Sequence, residues 1–209
     1  MFILDKTLYF PPVNSANADG IVAFGGDLSP NRLILAYKSG IFPWYSEGYP
    51  ITWYSPDPRM VLFPKDIKIS KSMRQFLKKN LFEIRFNSAF ADVIRHCKII
   101  SRDGQEGTWI TDAMEESYID LHQKGWAKSV EVYQNNALVG GLYGIDLGTV
   151  FGGESMFSKV SNASKVAFIW LADYLEKRNY KLIDCQVYNE HLDSLGAVEI
   201  SRDKFFDYL

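Results

Sequence analysis

Apolar residues recur at helical spacing over residues 162–178, where Ala163, Val166, Ala167, Trp170, Leu171 and Tyr174 form one sustained stripe. On either side of it the period drops to two. Residues 128–133 alternate as a strand, Asn135-Asn136 makes a turn, and residues 138–145 return as the hairpin partner. Residues 149–157 form a third strand with Gly152-Gly153 inside it, where glycine predicts a bulge or a close backbone approach by a ligand. Beyond the long helix come a strand over 181–187, a short helix over 190–195 and a last strand over 198–200. Upstream, residues 70–80 are amphipathic, with Met73, Phe76 and Leu77 on the inner face. Residues 87–100 point Phe90, Val93, Ile94 and Cys97 inward. A further helix carries Met114, Tyr118 and Leu121 and closes at Gly125.

The first sixty residues are patterned differently. Ser29-Pro30 opens a helix with a capping residue and a proline at its first position, Leu33, Ile34 and Tyr37 line one face, and Gly40 stops it. Two aromatic segments broken by prolines follow, Ile41 to Tyr45 and Thr52 to Arg59. Proline stiffens such loops, so their rings are held in fixed places. The pattern predicts an α+β chain: a small N-terminal domain over 1–59, then a mixed sheet flanked by helices over 60–209. The order hairpin, bulged strand, helix, strand is that of an acetyltransferase-type fold, one option among several on pattern alone.

Charge adds an asymmetry. The chain carries −2 overall, which argues against a generic nucleic-acid binder. Yet residues 65–102 hold ten basic side chains (Lys65, Lys68, Lys71, Arg74, Lys78, Lys79, Arg85, Arg95, Lys98, Arg102) against Asp66, Glu83 and Asp92, so this segment is +7 and the remainder −9. Cys97 and Cys185 fall at apolar positions and are expected as reduced thiols. His96, His122 and His191 have no ligand spacing, so no metal and no cofactor is expected. No apolar run reaches membrane-spanning length, and Met1 to Lys6 lacks the basic start and apolar core of a signal peptide. A cytoplasmic monomer without membrane contact is the expectation.

Two acids fall among apolar strand residues, Glu154 after Gly152-Gly153 and Asp184 in Leu182-Ile183-Asp184-Cys185-Gln186. Period-two alternation predicts that Asp184 and Gln186 share one face while Ile183 and Cys185 point the other way.

Six strings, in order along nearly the whole chain, resemble the leucyl/phenylalanyl-tRNA–protein transferases: Gly40-Ile41-Phe42-Pro43-Trp44-Tyr45, Trp53-Tyr54-Ser55-Pro56-Asp57-Pro58-Arg59, Gly107-Thr108-Trp109-Ile110-Thr111, Leu138-Val139-Gly140-Gly141-Leu142-Tyr143-Gly144, Gly153-Glu154-Ser155-Met156-Phe157-Ser158 and the strand ending in Gln186. The resemblance implies a small N-terminal domain followed by an acetyltransferase-like one. It implies transfer of Leu or Phe, less often Met, from aminoacyl-tRNA to proteins beginning with Arg or Lys, marking them for degradation. It also implies roles. Asp184 would be the base, Gln186 would position the amine or ester, and Glu154 would hold the amine or the cationic acceptor side chain. Leu142, Phe151, Met156, Leu171 and Ile183 would form the aminoacyl pocket, with Leu142 standing where Met is frequent and Leu171 where a Phe is known. Trp44, Trp109, Tyr37 and Tyr118 would surround the 3′ adenosine, and Lys71, Arg74, Lys78 and Lys79 would meet tRNA phosphates.

Two rival readings share parts of this pattern. A coenzyme-A-dependent N-acetyltransferase would share the fold but would wrap the pyrophosphate with a glycine-containing loop, whereas Ser158-Lys159-Val160-Ser161-Asn162 has no glycine. A non-catalytic binder of basic protein N-termini would use Glu154 and Asp184 but leave the tryptophan loops without a task.

Overall fold

The computed structural model describes residues 2–100 and 108–209. Two sheets organise the chain. The strands are β1 (Phe2–Leu4), β2 (Ile21–Gly25), β3 (Phe42–Pro43), β4 (Thr52–Tyr54), β5 (Arg59–Leu62), β6 (Glu83–Phe86), β7 (Ala127–Gln134), β8 (Ala137–Asp146), β9 (Val150–Ser158), β10 (Leu182–Gln186) and β11 (Val198–Ile200). The helices are α1 (Pro30–Lys38), α2 (Lys71–Leu77), α3 (Phe90–Ile99), α4 (Asp112–Gln123), α5 (Ala163–Glu176), α6 (Glu190–Ser194) and α7 (Arg202–Phe206). The first sheet runs β1-β2-β4-β3, and the second runs β11-β5-β10-β9-β8-β7-β6. In the second sheet every described pairing is antiparallel except β9 with β10, which α5 connects as a parallel crossover. This is the α+β, mixed-sheet architecture expected from the patterning.

Helices cover both faces of the large sheet. The apolar stripe of α5 packs Ala163, Ala167, Phe168 and Leu171 against Val130, Leu142, Phe151 and Ile183. On the other face, α3 and α4 bury Phe90, Val93, Ile94, Met114, Tyr118 and Leu121 with Tyr143 and Ile145. That cluster continues without a break into Leu33, Ala36, Tyr37, Phe42 and Trp53 from the first sixty residues. We propose the division 1–59 and 60–209 on the change of sheet between β4 and β5, with the two parts sharing one core.

β8 is buried along most of its length, and its glycines allow the close approaches. A Cβ at Gly140 would lie 2.5 Å from the Cβ of Ala163 at the start of α5, and one at Gly144 would lie 2.2 Å from the Gly152 carbonyl oxygen. The Gly152 backbone thus comes close to Gly144 of β8, a contact within the sheet distinct from the approach by a ligand that the glycines suggested. A Cβ at Gly152 itself would meet nothing closer than 3.8 Å.

Two charged groups inside this frame were not legible as structural. Glu131, fully buried in β7, accepts from Ser88 N (3.2 Å), Ser88 Oγ (2.9 Å), Ala89 N (3.3 Å) and Ser129 Oγ (2.5 Å), which places an anion at the start of α3. Arg32 in α1 is also buried, its guanidinium donating to the Asp5 and Thr7 carbonyls.

The basic run is divided by the fold, contrary to a single basic region. Arg95 and Lys98, on α3, are held by acids: Arg95 by Asp92 (3.3 Å) and Glu115 (3.2 Å), Lys98 by Asp112 and Glu115 (2.8 Å). Lys71 and Arg74 on α2, and Lys78 and Lys79 just past its end, are exposed on the other side of the sheet and make no ion pair among the described residues. Arg102 and Gly104 to Gly107 lie outside the described residues.

Candidate functional site

The site sits where β9 and β10 part. Their parallel pairing runs Leu182↔Val150, Ile183↔Phe151 and Asp184↔Gly152, and goes no further. Past that point each strand carries an irregularity. In β9 the register with β8 slips between Tyr143↔Ser155 and Gly144↔Gly153, so Glu154 is the extra residue. In β10 the register with β5 slips between Asp184 and Gln186, and Gln186 takes a left-handed backbone (φ 67°). Bulges re-aim side chains. Here they turn Glu154 and Gln186 toward each other across the opening, with Gln186 Nε2 donating to Glu154 Oε1 at 3.0 Å.

The bulge overturns the expected alternation. Ile183, Cys185 and Gln186 line the cleft, and Asp184 does not share their side. Asp184 is 4% exposed, and its oxygens accept from Arg59 Nε (2.7 Å), Arg59 Nη2 (2.6 Å) and the backbone N–H of Gln186 (3.0 Å). Arg59 is equally buried. Its plane lies between the rings of Phe42 (4.8 Å) and Phe205 (4.7 Å), and Nη1 donates to the Gly40 carbonyl at 3.2 Å. A carboxylate gripped at both oxygens by a guanidinium, outside the cleft lining, is a fixed anchor. Its third bond shapes the turn that presents Gln186.

The cleft has a volume of about 920 Å³. Its inner wall is apolar: Leu142, Phe151, Met156, Leu171 and Ile183, as expected, together with Phe168 and Cys185. The mouth carries Trp44 and Trp109, both from the predicted set, and Tyr45, Tyr49, Tyr54 and Tyr188. Trp44 is 44% exposed and tilts against Tyr54 at 5.9 Å, while Tyr45 Oη and Thr111 Oγ1, 3.1 Å apart, tie this loop to the start of α4. Among the described lining residues Glu154 is the one carboxylate, and none is Lys or Arg.

Tyr37 and Tyr118 require a correction. Both rings are buried in the shared core, at 4% and 0% exposure, so neither offers a face to a base. Their hydroxyls bond to each other, and Tyr118 Oη donates to Glu154 Oε2 at 3.0 Å. Burial pushes the Glu154 carboxyl up to about 7; the phenols of Tyr37 and Tyr118 hold it down, the Asp184 charge adds to the rise, and Arg59 opposes it. The two phenols are themselves pushed well above their usual range by burial first and by the Glu154 charge second, so they stay protonated donors. The site therefore holds a carboxylate that titrates near neutrality, a neutral amide beside it, and an apolar pocket behind.

The basic α2 does not line this cleft. It packs through Met73 on Val166 and Ile169 of α5, whose opposite side gives Phe168 and Leu171 to the pocket. The exposed cations of the α2 region and the pocket thus flank one helix, about 10 Å across. No group of three His, Cys, Asp or Glu residues that could hold a metal occurs among the described residues. Cys97 and Cys185 are both buried thiols.

Comparisons with known proteins agree on one family. The family model described as leucyl/phenylalanyl-tRNA protein transferase matches residues 61–209, and the model of that family's N-terminal domain matches residues 26–57. A leucyl/phenylalanyl-tRNA–protein transferase of Flavobacterium johnsoniae is 62% identical over 209 residues, covering all of this chain and 99% of that one. A protein of the same name from Syntrophobacter fumaroxidans is 53% identical over 209 residues, covering all of this chain and 89% of that one. Among solved structures, a conserved protein of unknown function from Bacteroides thetaiotaomicron shares the fold with a TM-score of 0.52 at 14% identity, over 86% of this chain and 66% of that one.

Proposed function

The chain belongs to the leucyl/phenylalanyl-tRNA–protein transferase family, an aminoacyltransferase family, and from that premise we propose how its cleft carries out the transfer. The donor is an aminoacyl-tRNA carrying Leu or Phe, less often Met, and the acceptor is the α-amino group of a protein beginning with Arg or Lys. The donor side chain enters the pocket of Leu142, Phe151, Met156, Leu171 and Ile183, which suits side chains unbranched at Cβ. Trp44 and Trp109 at the mouth take the 3′ adenosine, and Lys71, Arg74, Lys78 and Lys79 meet phosphates of the acceptor stem. No helix among the described residues is long and apolar enough to cross a membrane, and we place the enzyme in the cytoplasm as a monomer.

An aminoacyl ester is already activated, so the step requires a neutral amine more than further energy. An α-amino group has a reference pKa of about 8 and is mostly protonated at neutral pH. In our reading Glu154 takes the proton that Asp184 was expected to take, and Gln186 orients the attacking nitrogen. The ammonium first releases one proton to water. The amine nitrogen then bonds to the ester carbonyl carbon and gives a second proton to Glu154, the carbon–oxygen bond to the ribose breaks, and Glu154 passes that proton to the leaving ribose oxygen. One carboxylate and no Lys or Arg among the described lining residues also suit an acceptor that begins with a cation.

One observation supports this reading above the rest: one carboxylate among the described lining residues, bonded to an amide, at the wall of an apolar cleft between parted strands. It is tested by incubating the protein with tRNA charged with labelled Leu or Phe and peptides beginning with Arg, Lys or Ala. Label is expected on the first two peptides. Label on none, or acetylation of the peptides when acetyl-coenzyme A replaces the charged tRNA, would overturn it.

A further inference from the structure

Two tyrosines inside a hydrophobic core need a reason for their hydroxyls. Phenylalanine would fill the space of Tyr37 and Tyr118 without the desolvation of an O–H, a loss that burial imposes unless a partner compensates. Here the hydroxyls lead to one carboxylate: the Tyr37 hydroxyl meets that of Tyr118, and Tyr118 donates to Glu154 Oε2 at 3.0 Å. An ionised carboxylate only accepts, so Tyr118 must spend its single proton on Glu154. That leaves the Tyr118 oxygen as acceptor and Tyr37 as donor. The order of donation is therefore fixed, from α1 through α4 to β9.

We propose that Tyr118 and Tyr37 are positioning residues of the transfer reaction, a buried donor relay that holds Glu154 ionised and aimed into the cleft. This rests on the reading of Glu154 as proton acceptor. Gln186 holds the other oxygen of the same carboxylate at 3.0 Å, so each oxygen keeps lone-pair capacity for the incoming amine. The charged and titratable groups around Glu154 are Tyr37 from α1, Tyr118 from α4, Tyr143 from β8 against the Tyr118 ring, Arg59 from β5 and Asp184 from β10. Asp184 and Arg59 largely cancel because each is the other's partner. The tyrosine relay is then the adjustable influence on when Glu154 gains its proton. The N-terminal part of the chain, through Tyr37, acts on the chemistry as well as on the tRNA side of the cleft.

The test is the pH dependence of transfer at saturating charged tRNA with one Arg-initial peptide, so that the titration of the amine is common to every variant. Tyr118→Phe removes the hydrogen bond to the ionised form and is expected to move the acid limb of kcat up by about one pH unit. The rate would fall roughly tenfold below the limb and recover above it, with KM for the charged tRNA unchanged. Tyr37→Phe is expected to shift the limb in the same direction by at least as much, because its phenol is the stronger of the two influences that hold the Glu154 carboxyl down. An unmoved limb, or a raised KM for the charged tRNA with an unmoved limb as a base-stacking role would give, would overturn the inference. If Tyr118→Phe does not fold, the shift in Tyr37→Phe decides alone. Glu154→Gln keeps the two failures apart. A wild-type profile in Glu154→Gln removes the reading beneath, while loss of transfer in Glu154→Gln with Tyr118→Phe superposing on wild type removes the relay only.

Discussion

Asp184→Asn separates an anchor from a base. In the folded protein Asp184 compensates a guanidinium that is 1% exposed, through bonds of 2.7 and 2.6 Å, and Arg59 keeps one further bond, to the Gly40 carbonyl. Removing the negative partner leaves a buried cation. Breaking such a pair from one side destabilises by about 3–5 kcal/mol, against a total stability of roughly 5–15 kcal/mol for a domain. With a urea slope of about 2–3 kcal/mol per molar, the unfolding midpoint should fall by about 1–2.5 M. Replacing both members, Arg59→Met with Asp184→Leu, should recover much of that loss, since neither charge is then stranded. Transfer should fall in both variants, because Asp184 also accepts from the Gln186 backbone N–H and so shapes the turn that aims Gln186. The residual activity of Asp184→Asn should retain an acid limb, moved to lower pH because the uncompensated Arg59 charge then holds the Glu154 carboxyl down. Wild-type urea stability together with a lost acid limb would refute the reasoning and return Asp184 to the role of base.

Other expectations follow from the same geometry. Glu154 has its carboxyl raised to about 7 from an unfolded value of about 4.5, so between those pH values the folded protein holds the extra proton and stability declines as pH rises. Glu154→Gln should flatten that decline and add about 1–3 kcal/mol near pH 7.5 in urea unfolding, the lower end reflecting a side chain only partly buried at the cleft wall; a steeper decline in the variant would contradict it. Gly144→Ala should misplace Gly152 and the adjoining Glu154 bulge, because its Cβ would fall 2.2 Å from a carbonyl oxygen, and a stable, fully active Gly144→Ala would show the bulge to be irrelevant. Reversing Lys71, Arg74 and Lys78 to Glu should weaken use of charged tRNA and its salt dependence while sparing an aminoacyl-adenosine donor; equal loss with both donors would remove the phosphate role of α2.

Much of the fold follows from local patterning. The stripe from Ala163 to Tyr174 and the hairpin around Asn135-Asn136 reappear as α5 and the β7–β8 pair because one period dominates each segment. β5 was hidden because its four residues, Arg59 to Leu62, are all buried and show no alternation, and their first member is a charged residue paired across 125 positions with Asp184. The same long-range pair explains the mistaken face of Asp184. Strand periodicity assumes regular pairing, and the slip between Asp184 and Gln186 breaks it. The apolar wall of the cleft was legible from the family resemblance, but Phe168 and Cys185 join it only through the packing of α5 on the sheet and the parting of β10 from β9. Tyr37 and Tyr118 lie 81 residues apart, and no local signal marks their hydroxyls as partners. Glu131 reads as one polar position on a strand until the start of α3 is brought onto it.

The most direct test is single-turnover transfer of labelled Leu from charged tRNA to an Arg-initial peptide by Glu154→Gln at pH 7.5. Glutamine keeps the shape and a hydrogen-bonding oxygen but cannot accept the proton. The account predicts a loss of about 10²–10⁴-fold, the range of a general base, with charged tRNA bound as tightly as by wild type. Transfer at the wild-type rate would contradict it.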